Sequence, residues 1–422
     1  MVILEFAMKQ SREPSLKRVA CRLAALDDVL LHQILSYASV GDVESLTVAV
    51  PIVSQTLLSS FPGLWRNLFV QRWTILNFPL DADATLVIDA KLRGLFPRHS
   101  TESRIFQLLT HAIVPVPSYA DLSQTTRCQR YSNRIHRIQS LQKAGTRPSH
   151  VVHFAFDGDE LGDNRCVRAN VPFPQGFHVA VFKRRDLGKN GESVYQIGFV
   201  ASGYYEIQIV RRDREGDNPE QHLEEELTSV SLTPVNFPLV GRQPGWDRNT
   251  YGYHGDGGRF YYQATRGRLF GPRFGANDIV GCGVQRNISS TESHVYFTIN
   301  GDVIAPVVEG SIESSYTSWY PAIGVDSYNE VRVNFGQEPF ACDSIVNELL
   351  SECVSNVVTA ADVPWYFIRE YSIESLLWRR QQFRKSQSCD DFENWQDAIS
   401  EKDKLPELGQ RNMFEIRRRL QC

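Results

Sequence analysis

The sequence lacks the features that mark the common classes of metal-binding and membrane proteins. None of its eight cysteines stands in a C-x-x-C pair or near histidine at zinc-ligand spacing, which excludes the usual zinc motifs and indicates a reducing compartment. No apolar run approaches the ~18 residues of a membrane-spanning helix. A signal peptide has basic residues before its apolar stretch, whereas the N-terminal MVILEFAM has a short apolar stretch with no basic residue before it. We therefore expect no membrane partner and a location in the cytoplasm, the nucleus or both.

A basic excess is also absent. The 422 residues include 45 Lys and Arg against 49 Asp and Glu, which gives a net charge of -4. Proteins that bind nucleic acids usually carry a clear positive charge, so we expect no nucleic-acid partner. Basic clusters at 183–185, 211–214 and 417–419 mostly have acids nearby, and we interpret them as solvated faces.

The length and composition indicate a folded chain with more than one core. A single hydrophobic core rarely grows beyond about 250 to 300 residues, so a chain of 422 residues predicts two or more folded units. The content of 42% hydrophobic and 22% charged residues is typical of compact folded proteins. Aromatic residues make up 11% of the chain, which favours strand-rich structure.

Apolar spacing predicts short helices over residues 21–75. Leu23, Leu26, Leu30, Ile34 and Leu35 recur at three- and four-residue intervals, and a second apolar face follows over 43–58. After Phe61-Pro62-Gly63 breaks the chain, a third face comprises Leu64, Trp65, Leu68, Phe69 and Trp73. Three such helices bury too little surface to be robust alone, so this unit is expected to keep apolar surface for a partner. Residues 76–148 are predicted to form a helical connector, with helices near 105–112 and 127–142.

From about residue 150 the apolar period changes to two, which predicts a β-sandwich. In GYYEIQIV, Tyr205, Ile207 and Ile209 share one face, and Asn300-Gly301 supplies the two left-handed residues of a type I′ hairpin turn. Further strands are predicted at 179–182, 228–232, 259–262, 279–284, 319–325 and 330–335. After Pro339 the helical period returns at DSIVNELLSECV, 372–383 and 412–420, and the sequence does not decide whether these helices pack on the sandwich or face a partner.

The glycine-rich stretch GWDRNTYGYHGDGG at 245–258 is the strongest candidate for chemistry. It lacks the Lys-Ser/Thr ending of a phosphate-binding P-loop and does not fit a dinucleotide-binding turn. His254 with Asp247 or Asp256 suggests an acid/base pair, but no nucleophile motif accompanies it. The alternative is a histidine bonded within its own loop, with glycines that bend the backbone. We favour that alternative and expect no catalytic residue, no cofactor and no metal.

Four ordered blocks resemble a SPRY domain, in particular the branch found in Ran-binding proteins. They are GWDRNTYGYHGDGGRF, FGPRFGANDIVGCGV, VYFTINGDVI and WYPAIGVDSYNEVRVNFGQEPF. The resemblance implies a bent β-sandwich without catalytic function, whose loops bind a protein or peptide. The acidic segment 211–227 is interpreted as an insertion between two strands. The candidate target contacts, each of which could instead pack inside, are Trp246, Arg248, Tyr251, Tyr253 and His254.

The N-terminal helices resemble an F-box. LAALDDVLLHQILSY is similar to its opening helix, and Phe61-Pro62-Gly63-Leu64-Trp65 to its close, with Asp27 or Asp28 as the helix N-cap. One departure is Ala25-Leu26, where F-boxes usually have Leu-Pro. The resemblance implies binding to a Skp-type adaptor. The apolar candidates for that contact, some of which must hold the unit itself together, are Leu26, Leu30, Ile34, Leu35, Leu64 and Trp65.

Together these patterns predict an α+β chain. Its parts are a tail (1–20), an F-box (21–75), a helical connector (76–148), a SPRY β-sandwich (149–340) and C-terminal helices (341–422). The two resemblances imply the substrate-recognition subunit of an SCF-type cullin-RING E3 ubiquitin ligase, linked to the cullin through the Skp-type adaptor. The alternative is a non-enzymatic SPRY scaffold in a multi-protein complex outside the SCF.

Overall fold

The computed structural model describes two compact units of this chain. The first is drawn from Met1–Ile75, Gly94–Ile113 and Ala361–Cys422, and the second from Leu76–Arg93 and Val114–Ala360. The described residues are 26–39, 42–43, 46, 63–74, 76, 80–81, 83–94, 96, 100–111, 113–119, 137–140, 152–157, 164–174, 178–185, 193–211, 227–286, 293–304 and 318–356. Several predicted segments lie outside them, namely most of the second helix at 43–58, residues 127–136, the insertion at 212–226, and the helices at 372–383 and 412–420.

Four of the five described helices fall within or close to predicted helical segments. The five are α1 (Asp28–Ser36), α2 (Leu64–Thr74), α3 (Ala90–Gly94), α4 (Glu102–His111) and α5 (Asp343–Asn356), of which α3 was not predicted individually. Asp27 is the N-cap of α1, because its carboxylate accepts a hydrogen bond from the backbone N–H of Leu30 at 2.8 Å. Within the described residues, none of these helices has the length and apolar character needed to cross a membrane.

The first unit packs α2 against α4. The five apolar residues predicted for the third helix are all buried on α2, as the periodicity indicated. Phe69 of α2 meets Phe106 of α4 edge-to-face, with ring centroids 5.5 Å apart. On α1, Leu31 and Leu35 are buried. These contacts make the core of the described part of the unit.

The second unit is built from strands in three sheets. The strands are β1 (Thr85–Ile88), β2 (Arg137–Ser140), β3 (Val152–Asp157), β4 (Arg165–Arg168), β5 (His178–Arg184), β6 (Val194–Val200), β7 (Gly203–Val210), β8 (Leu227–Thr233), β9 (Tyr251–His254), β10 (Arg259–Tyr262), β11 (Arg268–Leu269), β12 (Ile279–Arg286), β13 (Ser293–Ile299), β14 (Asp302–Ile304), β15 (Tyr320–Asp326) and β16 (Glu330–Asn334). Their orders are β1-β6-β5, β11-β10-β9-β8-β15-β4 and β14-β13-β12-β7-β16-β3-β2. The predicted hairpin turn is confirmed, with φ of 49° at Asn300 and 97° at Gly301.

The six-stranded and seven-stranded sheets enclose one hydrophobic core. On β7, Tyr205, Ile207 and Ile209 are fully buried and pack with Val230 of β8 and Ile323 of β15. The Tyr205 hydroxyl also joins the two sheets, because it donates to the Ala322 carbonyl at 2.8 Å and accepts from the Ser231 N–H at 3.0 Å. The predicted β-sandwich is therefore confirmed for these sheets.

The opposite face of β7 is covered by the C-terminal helix α5. Tyr204 of β7 packs on Phe340, with ring centroids 4.9 Å apart, and Gly198 of β6 leaves the space that Leu350 fills. This second core consists of Phe182, Val200, Tyr204, Tyr296, Phe340, Cys342, Ile345, Val346, Leu349 and Leu350. The structure thus answers one open question: this helix packs back on the sandwich.

A buried carboxylate fixes the start of that helical segment. Glu206 of β7 accepts hydrogen bonds from the N–H groups of Ala341 at 2.8 Å and Cys342 at 3.0 Å, and from the Tyr204 hydroxyl at 2.9 Å. Burial raises the pKa of Glu206, and these three donors oppose the rise because they stabilise the ionised form. Burial outweighs the hydrogen bonds, so the pKa of Glu206 is raised overall.

We expect this carboxyl to make stability depend on pH. A raised folded-state pKa means that protonation favours the folded chain, so the contribution is complete below the ordinary value of 4.5 and is lost as pH rises through the raised pKa. Relative to Glu206→Gln, the free energy of unfolding of the wild type should fall across that window, as measured by urea denaturation from about pH 4 to about pH 8. Glu348→Gln, at an exposed position on α5, controls for the lost charge. If the difference in unfolding free energy between the wild type and Glu206→Gln stayed constant with pH, this explanation would be wrong.

The helical connector is corrected at two places. Residues 137–140, predicted as helix, form β2, which pairs antiparallel with β3 so that Arg137 stands opposite Asp157. β1, which was not predicted, pairs in parallel with β6 from Thr85 opposite Val194 onward. The helix prediction near 105–112 is confirmed by α4. Both strands obtain their backbone hydrogen bonds from a partner strand, β3 for β2 and the distant β6 for β1, and such pairing is not revealed by the local apolar pattern of a four-residue segment.

Candidate functional site

The stretch 245–258 forms a tight turn, strand β9 and a second turn. Gly245 has φ of +99° and Gly258 has φ of +61°, and a side chain on Gly258 would collide with the Gly271 carbonyl. Thr250 closes the first turn, because its hydroxyl accepts from the Gly245 N–H at 2.9 Å and donates to the Asp247 carbonyl at 2.6 Å. Gly245 and Gly258 therefore bend the backbone, as the sequence indicated.

Tyr251 and Tyr253, predicted as target contacts, are core residues. They are 3% and 0% exposed and lie two positions apart on β9, so both point into the sandwich. Tyr251 meets Trp319 edge-to-face with centroids 5.1 Å apart, and Tyr253 meets Phe270 in the same way at 5.4 Å. The strand period of two accounts for the correction, since neither ring is available to a partner in this conformation.

His254 points to the opposite face of β9 and is also buried, at 1% exposure. Its Nε2 lies 2.8 Å from the Pro244 carbonyl, which can only accept, so Nε2 carries the proton and donates it. The ring stacks on Tyr261 with centroids 4.1 Å apart. Burial lowers the pKa of His254 to about 4, although the hydrogen bond to Pro244 raises it in part. His254 is therefore a neutral histidine bonded within its own loop, which corrects its prediction as a target contact.

Acid should destabilise the fold through this histidine. A pKa lowered from 6.5 to about 4 means that the stabilisation is present above 6.5 and is lost as pH falls through the folded value. Relative to His254→Gln, whose amide can still donate to Pro244, the wild type should lose about 3 kcal/mol of unfolding free energy over that interval, at 1.36 kcal/mol per unit. Denaturant titrations at a series of pH values measure this loss. An imidazole NMR titration of His254 with a midpoint near 6.5 would contradict it.

Trp246 and Arg248 are the two predicted contacts that remain at the surface. Trp246 is half-buried, and its indole N–H has no hydrogen-bond partner within the described chain, while Arg248 is exposed. Between them, Asp247 lies 3.8 Å from Arg242 in a partly exposed ion pair, which contributes little on its own. The Gly245 carbonyl of this turn accepts from the Ala264 N–H at 3.2 Å, so the turn lies beside the end of β10.

Sequence reasoning missed the exposed aromatic beside this turn. Tyr262, the last residue of β10, is 40% exposed and stacks on Tyr251 with centroids 4.7 Å apart. Its position two residues after the buried Phe260 gives the signal, since the same side of the strand continues to the rim of the sandwich. Trp246, Tyr262 and Arg248 remain at the surface here, and tryptophan, tyrosine and arginine are the residue types most common in protein-binding hot spots. The arrangement suits contact with a peptide segment.

In the first unit, the structure divides the predicted adaptor contacts into two groups. Leu35, Leu64 and Trp65 are buried, at 3%, 0% and 0% exposure, so their prediction as contacts is corrected: they form the core of the unit. Leu30 and Ile34 are 44% and 45% exposed on α1. Leu26, just before the N-cap, is half-buried. Val29 on α1 and Tyr37 just after it are also exposed, and the sequence did not single them out.

Comparison with known proteins finds one matching family and several relatives. The SPRY domain family matches residues 186–338. The Ran-binding proteins 9/10 homolog of Drosophila melanogaster is 32% identical over 160 residues, which cover 38% of this chain and 15% of that protein. The Ran-binding protein M homolog of Arabidopsis thaliana is 41% identical over 119 residues, covering 27% and 23%. Human Ran-binding protein 9 is 33% identical over 197 residues, covering 46% and 21%.

A solved structure also matches this region. The crystal structure of a human SPRY domain is 24% identical, with a TM-score of 0.30, and the match covers 44% of this chain and 96% of that one. The chain spans only 15% to 23% of the lengths of the three relatives named above. Residues 186–338 contain strands β6 to β16 and the four sequence blocks except for the last two residues of the fourth, whereas β2 to β5 precede them. The chain thus carries a SPRY domain at residues 186–338, similar in sequence to that region of Ran-binding proteins 9 and 10.

Proposed function

We propose that this protein is a non-enzymatic receptor that brings a target protein to an SCF-type cullin-RING E3 ubiquitin ligase. The F-box-like unit would bind a Skp-type adaptor that carries the cullin, and the SPRY domain would bind the target. The single observation that carries the proposal is the row of exposed apolar side chains on α1, because a helix with a buried face has no internal need for a second apolar face. The protein would act in the cytosol or the nucleus.

The adaptor side rests on Leu30 and Ile34. They lie four residues apart, so they are neighbours on one side of α1, whereas Leu31 and Leu35 turn into the unit. Burying one such side chain against a partner contributes up to about 1.5 to 3 kcal/mol when it starts fully exposed, and these two start about half exposed. Val29 at 70% and Tyr37 at 89% exposure enlarge the apolar surface. The surface lies within the residues whose sequence resembles the opening helix of an F-box.

The target side rests on the rim of the SPRY sandwich. Trp246 and Arg248 are held by a turn whose geometry is fixed by Thr250, so their binding costs little ordering entropy. His254, the histidine of the acid/base pair considered above, is neutral and enclosed. The site therefore supports binding, and we propose that the protein acts by raising the local concentration of the target near the ligase.

A second candidate function is a SPRY scaffold in a complex outside the SCF. Two observations favour it. The dipeptide Ala25-Leu26 replaces the Leu-Pro usual in F-boxes, and the relatives of the SPRY region are named as Ran-binding proteins. In a scaffold, the apolar residues of α1 would bind another subunit of that complex.

Coexpression of the full chain with a Skp-type adaptor distinguishes the two functions. We expect an equimolar complex that stays together through affinity purification and size-exclusion chromatography, because the exposed face of α1 is buried in it. The matched control is coexpression with an unrelated protein of similar size. A folded chain that elutes without the adaptor would favour the scaffold.

A further inference from the structure

An arginine ends the central strand β12 with its side chain on the core side. Val280, Cys282 and Val284 are buried in the sandwich core at alternate positions, and Arg286 is the next position of that series. Its backbone stands opposite Ser293 of β13, and its N–H donates to the Ser202 hydroxyl at 2.9 Å. The side chain therefore lies at the rim, where the core of the sandwich meets solvent.

Among the described residues, no ion pair involves the guanidinium of Arg286. Within the described chain, its Nε and Nη2 are enclosed and make no hydrogen bond. Burial lowers the pKa of Arg286 to about 10. An uncompensated buried charge is unfavourable, and native structures seldom keep one unless it serves a purpose. Nη1 is not among the enclosed atoms and the residue is partly exposed, so an anion would approach the guanidinium at Nη1 and replace the lost hydration there.

Aromatic side chains extend from Arg286 towards the Trp246 turn. Val284 stands opposite Gly203, whose missing side chain leaves room for the Phe173 ring. Phe173 donates its N–H to the Trp319 carbonyl at 2.8 Å, and the Trp319 ring meets Tyr251. Tyr251 in turn stacks on the exposed Tyr262, beside the turn that carries Trp246. The charge and the proposed target contacts thus lie at the same end of the sandwich.

The charge at this end fits a single carboxylate. Arg168, on β4, lies over the Tyr320 ring and already donates to the Val235 carbonyl, so its charge is engaged. The Arg286 guanidinium carries one positive charge, which matches the single negative charge of a carboxylate. Arg248 is a second cation on the Trp246 turn, so the peptide test below includes phosphoserine at the acidic position.

We propose that Arg286 binds an aspartate or glutamate side chain of the target protein, at the end of the sandwich that also carries Trp246 and Tyr262. The inference rests on the proposed role of the SPRY domain and adds the chemistry of the target. The target segment then combines one acidic residue with apolar or aromatic neighbours that lie along the aromatic rim.

Peptide selection tests this pairing. Random peptides displayed on phage are selected on the full-length wild type and, in parallel, on Arg286→Met. We expect the wild-type pool to carry Asp or Glu at one fixed position. The synthetic peptide should bind Arg286→Met about tenfold or more weakly, as loss of a charge-assisted hydrogen bond implies. Replacing its acid with the amide should cost the wild type the same factor and cost Arg286→Met little. Arg273→Met, which removes an exposed arginine, serves as control.

Two measurements without a peptide complete the test. Because Arg286 is largely buried and unpaired, Arg286→Met should raise the melting temperature. The rise should be about 2 to 4 °C for each kcal/mol of unfolding free energy gained by a domain of this size. Titration with sodium acetate, against sodium chloride at equal ionic strength, should give a saturable NMR shift of the Arg286 Nε–H signal. A lower or unchanged melting temperature, or no acetate shift, would overturn the proposal.

The outcomes separate the inference from the proposed function. The inference would be overturned if the selected peptides had no fixed Asp or Glu, or if an acidic peptide bound Arg286→Met as tightly as the wild type. In either case the SPRY domain would remain a target-binding module. Tighter binding of a peptide with phosphoserine at the acidic position would overturn the assignment to a carboxylate. Failure to select any peptide would count against the proposed function, and the melting and acetate measurements would still decide the role of Arg286.

Discussion

Replacing Leu30 and Ile34 together with aspartate is expected to weaken binding to a Skp-type adaptor by at least about 100-fold, or about 2.7 kcal/mol. Both side chains are about half exposed on α1, so the substitutions disturb internal packing much less than changes at the buried Leu31 and Leu35 would. At the interface they remove apolar burial at two sites and leave two carboxylates to be desolvated without partners. Isothermal titration calorimetry with the purified adaptor measures the loss.

The control for this variant repeats the same chemistry elsewhere. Leu269→Asp with Val303→Asp introduces two aspartates at apolar residues that are 77% and 41% exposed on the SPRY domain. That variant should bind the adaptor like the wild type. Circular dichroism should show both variants folded. If the folded Leu30→Asp, Ile34→Asp variant kept its adaptor, the proposed docking through α1 would be wrong.

Replacing Tyr205 with alanine is expected to cost the SPRY domain about 5 kcal/mol of unfolding free energy. Removing a buried aromatic ring costs about 3 to 5 kcal/mol. Loss of the hydroxyl also removes the acceptor of the Ser231 N–H and one of the donors to the Ala322 carbonyl, which still accepts from the Ser231 hydroxyl at 2.6 Å; this loss costs about 1 to 3 kcal/mol. Native domains are stable by only about 5 to 15 kcal/mol, so the variant should be close to unfolded.

Tyr205→Phe is the matched control because it keeps the ring and removes only the hydroxyl. It should cost about 1 to 2 kcal/mol, the usual range for a buried hydrogen bond. Guanidinium chloride denaturation of both variants separates the two contributions. If Tyr205→Ala and Tyr205→Phe lost the same unfolding free energy, the buried ring would contribute nothing beyond its hydroxyl. That result would contradict the role of the Tyr205 ring in the core.

Local patterns were enough to predict much of the sandwich. The alternation of Tyr205, Ile207 and Ile209 predicted the inner face of β7, and Asn300-Gly301 predicted the hairpin between β13 and β14, because both features depend on neighbours in sequence. β1 could not be predicted in this way. Thr85 and its register partner Val194 are far apart in the chain, and a four-residue strand carries too little periodicity to identify itself.

The candidate site shows the same limit. Alternation along β9 puts Tyr251 and Tyr253 on one face, but the sequence left open whether that face is the core or a target contact, and burial shows that it is the core. On α1 the apolar residues extend around much of the helix. Only the packed structure shows that Leu31 and Leu35 turn inward while Leu30 and Ile34 stay outside. Arg286 was missed because the need for a counterion appears only when burial is known.

Affinity purification of the full chain from cells, followed by mass spectrometry, tests the central claim most directly. The account predicts near-stoichiometric recovery of a Skp-type adaptor and a cullin together with proteins held by the SPRY domain, and loss of the adaptor and cullin alone from the Leu30→Asp, Ile34→Asp variant. Recovery of a stable set of SPRY-bound proteins without adaptor or cullin would contradict the account and identify the chain as a scaffold outside the SCF.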